Sequence, residues 1–297
     1  MANLYTHQDE NIRRTWMLLG MFLLLIIGLG WAFSYIFMER GILVFAVAFS
    51  IISALVSYWF SDKIALALAR ATPIEKKDNP YLWNMVENLC ITAGLPMPRV
   101  CVTPEKQINA FATGRDPKHA AIAVTQGALD RLENEELEGV LAHELSHIGN
   151  RDILVSTVAV ILAGVISMLA DFFMRSMIFG RRGGNDNGRA GGMLILVGVA
   201  LSILAPLGAM LIQFAISRKR EFLADVSGAL LTRYPEGLAK ALEKIGADAT
   251  PMQAAAHDST AHLWIASPHK KASWFHKLFM THPPVEERIK VLRGQKT

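Results

Sequence analysis

Residues 142–150 read Ala142-His143-Glu144-Leu145-Ser146-His147-Ile148-Gly149-Asn150. They contain the pattern His-Glu-x-x-His, and residues four apart lie on one face of an α-helix, so both imidazoles can reach a single metal ion. Zinc is the ion that this arrangement suits best. Glu144 lies beside the two ligands and can take a proton from a water at the metal, which makes it the candidate general base.

The residues around this motif have the features of a helix. Asn134 is the predicted N-cap and is followed by two acidic residues, and Gly149-Asn150 supplies a stop. An apolar stripe runs along one face: Leu137, Leu141, Leu145 and Ile148. A chance match on a helix with two surface histidines is the alternative, and this helical context disfavours it.

The composition indicates a membrane protein. Of the 297 residues, 52% are hydrophobic and 19% are charged, and the apolar residues form long runs. The net charge of +4 arises from basic residues at the ends of these runs, which favours contact with a lipid bilayer over contact with nucleic acid. Cys90 and Cys101 match no metal-ligand spacing, and two cysteines do not make a disulfide framework.

Two apolar runs, 16–38 and 42–60, predict an N-terminal transmembrane hairpin. The polar turn Glu39-Arg40-Gly41 separates them. Basic residues precede the first run and follow the second: Arg13, Arg14, Lys63, Arg70, Lys76 and Lys77. The positive-inside rule then places the N-terminus and the segment after residue 60 in the cytoplasm. The alternative is a buried hairpin in a soluble core.

Between residues 62 and 152 the sequence predicts a soluble α+β segment. A helix is expected over 81–93, ending at Gly94, and short strands over 99–103, 109–114 and 121–125. An open strand edge beside the metal helix could hold an extended peptide by main-chain hydrogen bonds. An ordinary small sheet is the alternative interpretation.

A second hydrophobic hairpin is expected over 153–216, from apolar runs at 153–170 and 193–216. Two signals conflict in the glycine-rich loop at 180–189 between them. Arginines in and beside the loop favour a cytoplasmic position, whereas the 24-residue second run is long enough to cross the bilayer. The length favours a crossing hairpin, and a re-entrant hairpin is the alternative.

Glu221 and Asp225, directly after this hairpin, are candidates to complete the metal site. Sites with two histidines take a third protein ligand, often Glu. If Glu221 binds the metal, Asp225, one helical turn on, can orient a ligand histidine by accepting its other N–H. The alternative is a solvated charged face beside Arg218, Lys219 and Arg220. Two membrane crossings would return Glu221 to the side of the histidines.

The chain resembles the HtpX-type membrane zinc metalloproteases of bacteria, which are relatives of the prenyl-protein (CAAX) endoproteases. The resemblance covers nearly the whole sequence and rests on the hairpin, the His143–His147 motif and three further stretches: Asn109-Ala110-Phe111, Arg220-Glu221-Phe222-Leu223-Ala224-Asp225 and Thr281-His282-Pro283-Pro284. It implies one Zn²⁺ bound by His143, His147 and Glu221, with Glu144 as catalytic base. Processing of lipidated C-termini is not carried over, because this chain lacks the extra spans of the prenyl proteases.

The last part of the chain is expected to be soluble. It has a predicted helix over 235–246, a loop with His257, His262 and His269, and a final helix opened by Pro283 and Pro284. His282 could cap that helix or face the site as a second electrophile, and we favour the capping role. Together with Asn109 and Phe111, it is a candidate for substrate contact or site support.

The predicted fold is an α-helical integral membrane protein with about four transmembrane helices and a cytoplasmic α+β, zincin-like metalloprotease domain. Its segments are an N-terminal hairpin (1–61), a catalytic segment (62–152), a second hairpin (153–216) and a segment with the third ligand (217–297). The expected function is zinc-dependent endoproteolysis of misfolded or damaged membrane proteins at the cytoplasmic face of the bacterial inner membrane. The alternatives are an intramembrane-cleaving protease and a non-catalytic metal-binding membrane scaffold.

Overall fold

The computed structural model describes residues 4–180, 218–252, 264–265 and 283–294. The run at 193–216, the loop at 180–189 beyond Gly180, and residues His257, His262, His269 and His282 lie outside this described part. In chain order its elements are α1 (Leu4–Phe37), α2 (Arg40–Trp59), α3 (Ser61–Leu68), β1 (Thr72–Pro73), α4 (Pro80–Ala93), β2 (Arg99–Thr103), β3 (Ala110–Gly114), a 3-10 turn (Pro117–His119), β4 (Ala120–Thr125), α5 (Gln126–Arg131), α6 (Asn134–Gly149), α7 (Asp152–Gly180), α8 (Arg218–Thr232), α9 (Pro235–Ala247) and α10 (Val285–Leu292).

Three of the described helices are long and apolar enough to cross a membrane: Asp9–Phe37, Arg40–Trp59 and Asp152–Leu169. The first two form the predicted N-terminal hairpin. Its turn has Met38 at a positive φ of 55°, and the Glu39 carboxylate accepts the Gly41 N–H at 3.1 Å to cap α2. The helices approach so closely at Gly30 that a Cβ there would lie 2.2 Å from the Ala46 Cβ.

α7 is the inner helix of this apolar bundle. It shares a buried cluster with α1, which includes Leu18, Phe22, Val158 and Leu162. In the apolar window of α7, 61% of the residues are buried, against 28% and 22% in the windows of α1 and α2. The two outer helices leave apolar side chains exposed over most of their length, as expected for surfaces in contact with lipid tails.

The soluble part is built on a four-stranded sheet of order β1-β2-β4-β3. β2 and β4 are parallel, with Cys101 opposite Ala123, whereas β1 and β3 are antiparallel to their neighbours. Successive side chains along a strand point to opposite faces. β3 is the last strand in this order, so it is an edge strand of the described sheet. It packs against α6 and α7.

α6 lies on one face of this sheet and is buried along most of its length. Leu141 and Leu145 of α6 share a fully buried core with Val100 and Ile122 of the sheet. Truncation of one such leucine to alanine costs about 2–5 kcal/mol. The opposite face carries Cys101 and Phe111, and α3 and Trp264 cover it.

Most predicted elements of the soluble segment are confirmed. The predicted 81–93 helix is α4, with Gly94 in the left-handed conformation at its end, and the three predicted strands are β2, β3 and β4. The predicted N-cap Asn134 is wrong: Glu133 caps α6, because its N–H donates to the Glu136 carboxylate at 2.8 Å. Asn134 instead accepts a hydrogen bond from the Tyr81 hydroxyl at 2.9 Å.

Candidate metal centre

His143, His147 and Glu221 bring their ligand atoms together within 4.8 Å of one another. The two Nε2 atoms are 3.2 Å apart. The Glu221 carboxylate oxygens lie 3.8 Å from the His143 Nε2 and 3.6 Å from the His147 Nε2. Ligand atoms at 2.0–2.1 Å from a tetrahedral zinc ion are about 3.3 Å apart. The three side chains therefore fit a zinc-sized ion with little rearrangement.

His143 is oriented by a carboxylate on α8. Its Nδ1 lies 2.9 Å from Asp225 Oδ1, and both side chains are almost fully buried. Asp225 in turn receives two hydrogen bonds from Arg288 of α10, from Nε at 2.8 Å and from Nη2 at 2.6 Å. Because Nδ1 is held by Asp225, Nε2 of His143 is the nitrogen presented to the metal.

His147 has an equivalent partner at the start of α7. Its Nδ1 lies 3.1 Å from Asp152 Oδ2. Asp152 also accepts a hydrogen bond at 2.6 Å from the side-chain amide of Asn11, on α1. Each ligand histidine therefore has one nitrogen held by a buried carboxylate and the other directed at the metal position, an arrangement that raises the basicity of a histidine ligand.

These surroundings shift the ionisation of the two histidines in opposite directions. Burial lowers the pKa of His143 to about 4, although Asp225 opposes the shift. Burial also lowers the pKa of His147, but its hydrogen bond to Asp152 and the charge of Glu221 outweigh burial and raise that pKa to about 9. Asp225 stays ionised, because Arg288 outweighs its burial and holds its pKa at about 2.

Glu144 lies at the wall of the same cleft. Burial raises the pKa of Glu144 to about 7, while the Glu144 carboxylate also accepts the N–H of Ala112 in β3, which lowers the pKa. A general base works best when its pKa lies near the working pH. Glu144 is thus suited by position and by ionisation to take and return a proton.

The cleft runs between edge strand β3, α6 and the first turns of α7. Its lining comprises Ala112, His143, Glu144, His147, Asp152, Ile153, Ser156, Glu221, Trp264 and Ile265. The predicted strand edge beside the metal helix is β3, and part of this edge is already occupied. Ile265 donates its N–H to the Ala110 carbonyl at 3.0 Å, so the first residue of the edge already has a backbone partner.

Residues 76–296 match the family described as peptidase family M48. The chain belongs to peptidase family M48. It is 46% identical over 298 residues to "Protease HtpX homolog" of Thermoanaerobacter pseudethanolicus, covering 98% of this chain and 97% of that relative. It is 48% identical over 284 residues to "Protease HtpX homolog" of Syntrophobacter fumaroxidans, covering 95% of this chain and 98% of the relative.

The fold is also similar to a solved structure, "Crystal Structure of S. mikatae Ste24p". The TM-score is 0.50 at 18% identity, covering 94% of this chain and 67% of that one. The resemblance to HtpX-type proteases and their CAAX-protease relatives is therefore confirmed. Membership of M48, the apolar helices and the convergent metal-binding side chains make the chain a membrane metalloprotease.

Two further predicted site residues of this M48 chain, Asn109 and Phe111, lie away from the cleft lining. Asn109 precedes β3, where its side-chain oxygen accepts the Ala110 N–H at 3.1 Å. Phe111 points to the opposite face of the sheet and packs edge-on against Trp264, with ring centroids 4.7 Å apart. Both support the strand that borders the cleft, and contact with substrate stays a prediction. His282 lies outside the described residues.

Three residues of the M48 site were missed from the sequence: Asn11, Asp152 and Arg288. Arg288 had a usable signal, because it lies among Val285, Ile289 and Leu292 on the apolar side of the last helix. A lone arginine on such a stripe is fully buried here, and a buried charge needs a partner. Asn11 and Asp152 had no comparable signal, since each stands at the polar end of an apolar run.

Gly228 lies where α8, which carries Glu221, approaches α6, which carries His143 and His147. A Cβ at this position would lie 2.9 Å from the His143 backbone nitrogen and 3.1 Å from the Ala142 carbonyl carbon. We expect Gly228→Ala to destabilise the protein by about 1–3 kcal/mol, as overpacking does, and to weaken metal binding, because α8 carries Glu221. Thermal unfolding and zinc titration of the purified protein measure both effects.

Gly20→Ala is the matched control for Gly228→Ala. Gly20 also lies within a helix, but a Cβ there would meet nothing within 4 Å, so alanine should be neutral or mildly stabilising. Wild-type zinc affinity and stability in Gly228→Ala would show that the α6–α8 spacing does not control the site.

Proposed function

We propose that the chain is a zinc-dependent endopeptidase of the bacterial inner membrane that cleaves misfolded or damaged membrane proteins at the cytoplasmic face. The observation that carries the proposal is the convergence of His143, His147 and Glu221 on one point, with the buried Glu144 carboxylate in the same cleft. Three protein ligands leave a fourth tetrahedral position for water or substrate, as in catalytic zinc sites.

The division of roles follows from the geometry of the side chains. His143, His147 and Glu221 would hold a zinc ion, which would supply Lewis acidity for the scissile carbonyl and the attacking water. Glu144 takes the proton of that water and returns it to the leaving amine. Asp225 and Asp152 hold the two imidazoles through Nδ1, so the ligand geometry is set before substrate arrives.

The position of the cleft favours substrates that emerge from a bilayer. Its wall includes Ile153 and Ser156, which lie in the first turns of the candidate span Asp152–Leu169. An extended chain segment fits between β3 and α7, where those backbone groups of β3 that have no partner among the described residues offer it main-chain hydrogen bonds. Unfolded stretches close to the membrane surface meet both conditions, whereas folded domains do not.

Intramembrane cleavage is the weaker alternative. The first turn of α6 and the residues before it expose charged side chains, among them Arg131, Glu133 and Glu135, and exposed charges at bilayer depth are costly. A non-catalytic scaffold would have no use for Glu144, because this buried carboxylate is not one of the three side chains whose ligand atoms converge among the described residues.

Removal of the metal tests the proposed activity. We expect the detergent-purified protein to cleave an unfolded model protein, to lose that activity when a chelator strips the metal, and to regain it when stoichiometric zinc is added back. Magnesium serves as the control ion, because it prefers oxygen ligands in octahedral geometry. Undiminished cleavage by metal-free protein would exclude metal-dependent proteolysis.

Thiol labelling tests the proposed orientation. Glu39 lies at the exposed turn between α1 and α2, and Lys77 lies in the soluble segment with its side chain 76% exposed. In a background without Cys90 and Cys101, Glu39→Cys should react with a membrane-impermeant thiol reagent on intact spheroplasts, and Lys77→Cys only after lysis. The opposite pattern would place the catalytic cleft outside the cytoplasm.

A further inference from the structure

Asn11 is a buried polar residue at the start of the first membrane helix. Only 4% of its surface is exposed, although it belongs to the polar turns that precede the apolar run of α1. Polar residues at that end of a membrane helix normally face water or headgroups. A side-chain amide buried there must have partners in the protein, since an unsatisfied buried amide is costly.

The partners of Asn11 lie just after the end of α6, at the start of α7 and in the first turn of α8. Its Nδ2 donates to Asp152 Oδ1 at 2.6 Å and to the Asn150 carbonyl at 3.1 Å. Its Oδ1 accepts from Arg220 Nη1 at 2.9 Å. The orientation of the amide is fixed by chemistry, because a carboxylate only accepts and a guanidinium only donates.

Two sets of contacts connect the Asn11 amide to the metal position. The other oxygen of Asp152 holds the His147 Nδ1 at 3.1 Å, and Arg220 is the chain neighbour of Glu221 and lies 3.6 Å from the same Asp152 carboxylate. Asn11 thus joins the corner between α6 and α7, which positions His147, to the first turn of α8, which positions Glu221. Its backbone is held by α1, itself packed against α7.

We propose that Asn11 is a positioning residue of the metal centre, and that the first membrane helix is thereby a structural part of the site as well as its anchor. This inference rests on the proposed function in taking His147 and Glu221 as metal ligands. Asn11 fixes the Asp152 carboxylate in the rotamer that receives the His147 N–H, and it holds Arg220 so that Glu221 faces the two histidines.

The expected effect of Asn11→Ala is moderate, because Asn11 acts one hydrogen bond further from the metal than Asp152 does. Loss of a residue that orients a ligand weakens metal binding by about 10- to 100-fold, and we expect that loss for Asp152→Asn. For Asn11→Ala we expect a loss of about 3- to 10-fold, the range of one hydrogen bond. Asn11→Asp should be worse than alanine, since it loses the donor and sets a carboxylate against Asp152.

The test measures zinc affinity of the full-length protein in detergent by competition with a chromogenic chelator, and the visible absorption of the cobalt-substituted protein. The variants are Asn11→Ala, Asp152→Asn and the double variant. Because Asn11 acts partly through Asp152, the double variant should lose less zinc affinity than the product of the two single losses, and at least as much as Asp152→Asn alone, since the contacts through Arg220 remain to be lost. Asn11→Ala should also alter the cobalt spectrum.

Asn79→Ala is the matched control for stability. Asn79 caps α4 by accepting the Leu82 N–H at 3.0 Å, so its loss lowers stability by about 1 kcal/mol without touching the cleft. It should leave the zinc affinity and the cobalt spectrum unchanged. If Asn11→Ala does not fold, Asn11→Thr, which has nearly the same volume and adds no charge, replaces it in both measurements.

Each outcome decides the role of Asn11. Wild-type zinc affinity and cobalt spectrum in Asn11→Ala, or a double variant whose loss is the product of the two single losses, would overturn it. A different result would overturn the proposed function. Wild-type protein that binds zinc but cleaves nothing would overturn the proteolytic activity and leave the positioning role of Asn11 supported by its own zinc measurements.

Discussion

Glu144→Ala is expected to keep the metal and to lose at least about 10²-fold in the rate of proteolysis, the lower end of what general-base catalysis supplies. The three proposed ligands are untouched by this change. Glu144 is buried in the cleft beside them, and its pKa of about 7 lets it both accept and return a proton near neutrality. Zinc content by atomic emission and turnover of an unfolded protein measure the two parts of the expectation.

Glu138→Ala is the matched control for this experiment. Glu138 lies on the same helix but does not line the cleft as the described residues form it, so its loss should leave turnover within a small factor of the wild-type value. Near-normal turnover by Glu144→Ala would remove Glu144 from the mechanism. Loss of zinc in that variant would instead mean that Glu144 supports the metal and does not act only as a base.

Glu221→Ala is expected to lose the metal, whereas a change at Asp225 is expected to weaken binding by about 10- to 100-fold. Glu221 would supply one of three ligands, and two histidines alone leave a zinc site incomplete. Asp225 holds only the far nitrogen of His143, at 2.9 Å. Equilibrium dialysis against a zinc buffer separates a complete loss from a graded one.

The choice of substitution at Asp225 matters because of Arg288. Asp225→Ala would remove two hydrogen bonds from the buried guanidinium and leave it with the Ile265 carbonyl at 2.8 Å and the Glu221 carboxylate at 3.9 Å, and breaking such a buried pair costs about 3–5 kcal/mol. Asp225→Asn keeps an acceptor for Arg288 and changes the charge with little change in shape, so it should be compared with the alanine variant. Val226→Ala, exposed on the same helix, controls for changes in α8. Unaltered zinc content in both Glu221→Ala and Asp225→Ala would place the third ligand elsewhere.

The sequence was informative wherever the signal is local. His143 and His147 lie on one helical face because of the four-residue spacing, and the helical context was visible in the apolar stripe and the stop at Gly149-Asn150. The membrane hairpin followed from run length and the absence of charge. Even so, the start of α6 was misplaced by one residue, because Glu133 and Asn134 can both cap a helix and the reciprocal bond with Glu136 decides between them.

The third proposed ligand, Glu221, was only partly predictable from the sequence. Glu221 is 74 residues beyond His147, so no helical periodicity links them. Its candidacy depended on the expectation that two further membrane crossings return the chain to the histidines. The described structure brings Glu221 within 3.8 Å of both Nε2 atoms, while the path over 181–217 lies outside the described residues.

By itself, the sequence determined the helix with the His-Glu-x-x-His motif, the candidate base within it, the apolar helices and the short strands, since each depends on periodicity, capping or run length within one segment. Only the tertiary structure decided what supports them. Arg288 reaches Asp225 from the last helix, Asn11 reaches Asp152 from the first, and Ile265 occupies the start of the β3 edge. Burial turns each of these ordinary polar groups into an obligatory partner, and burial is set by how distant segments pack.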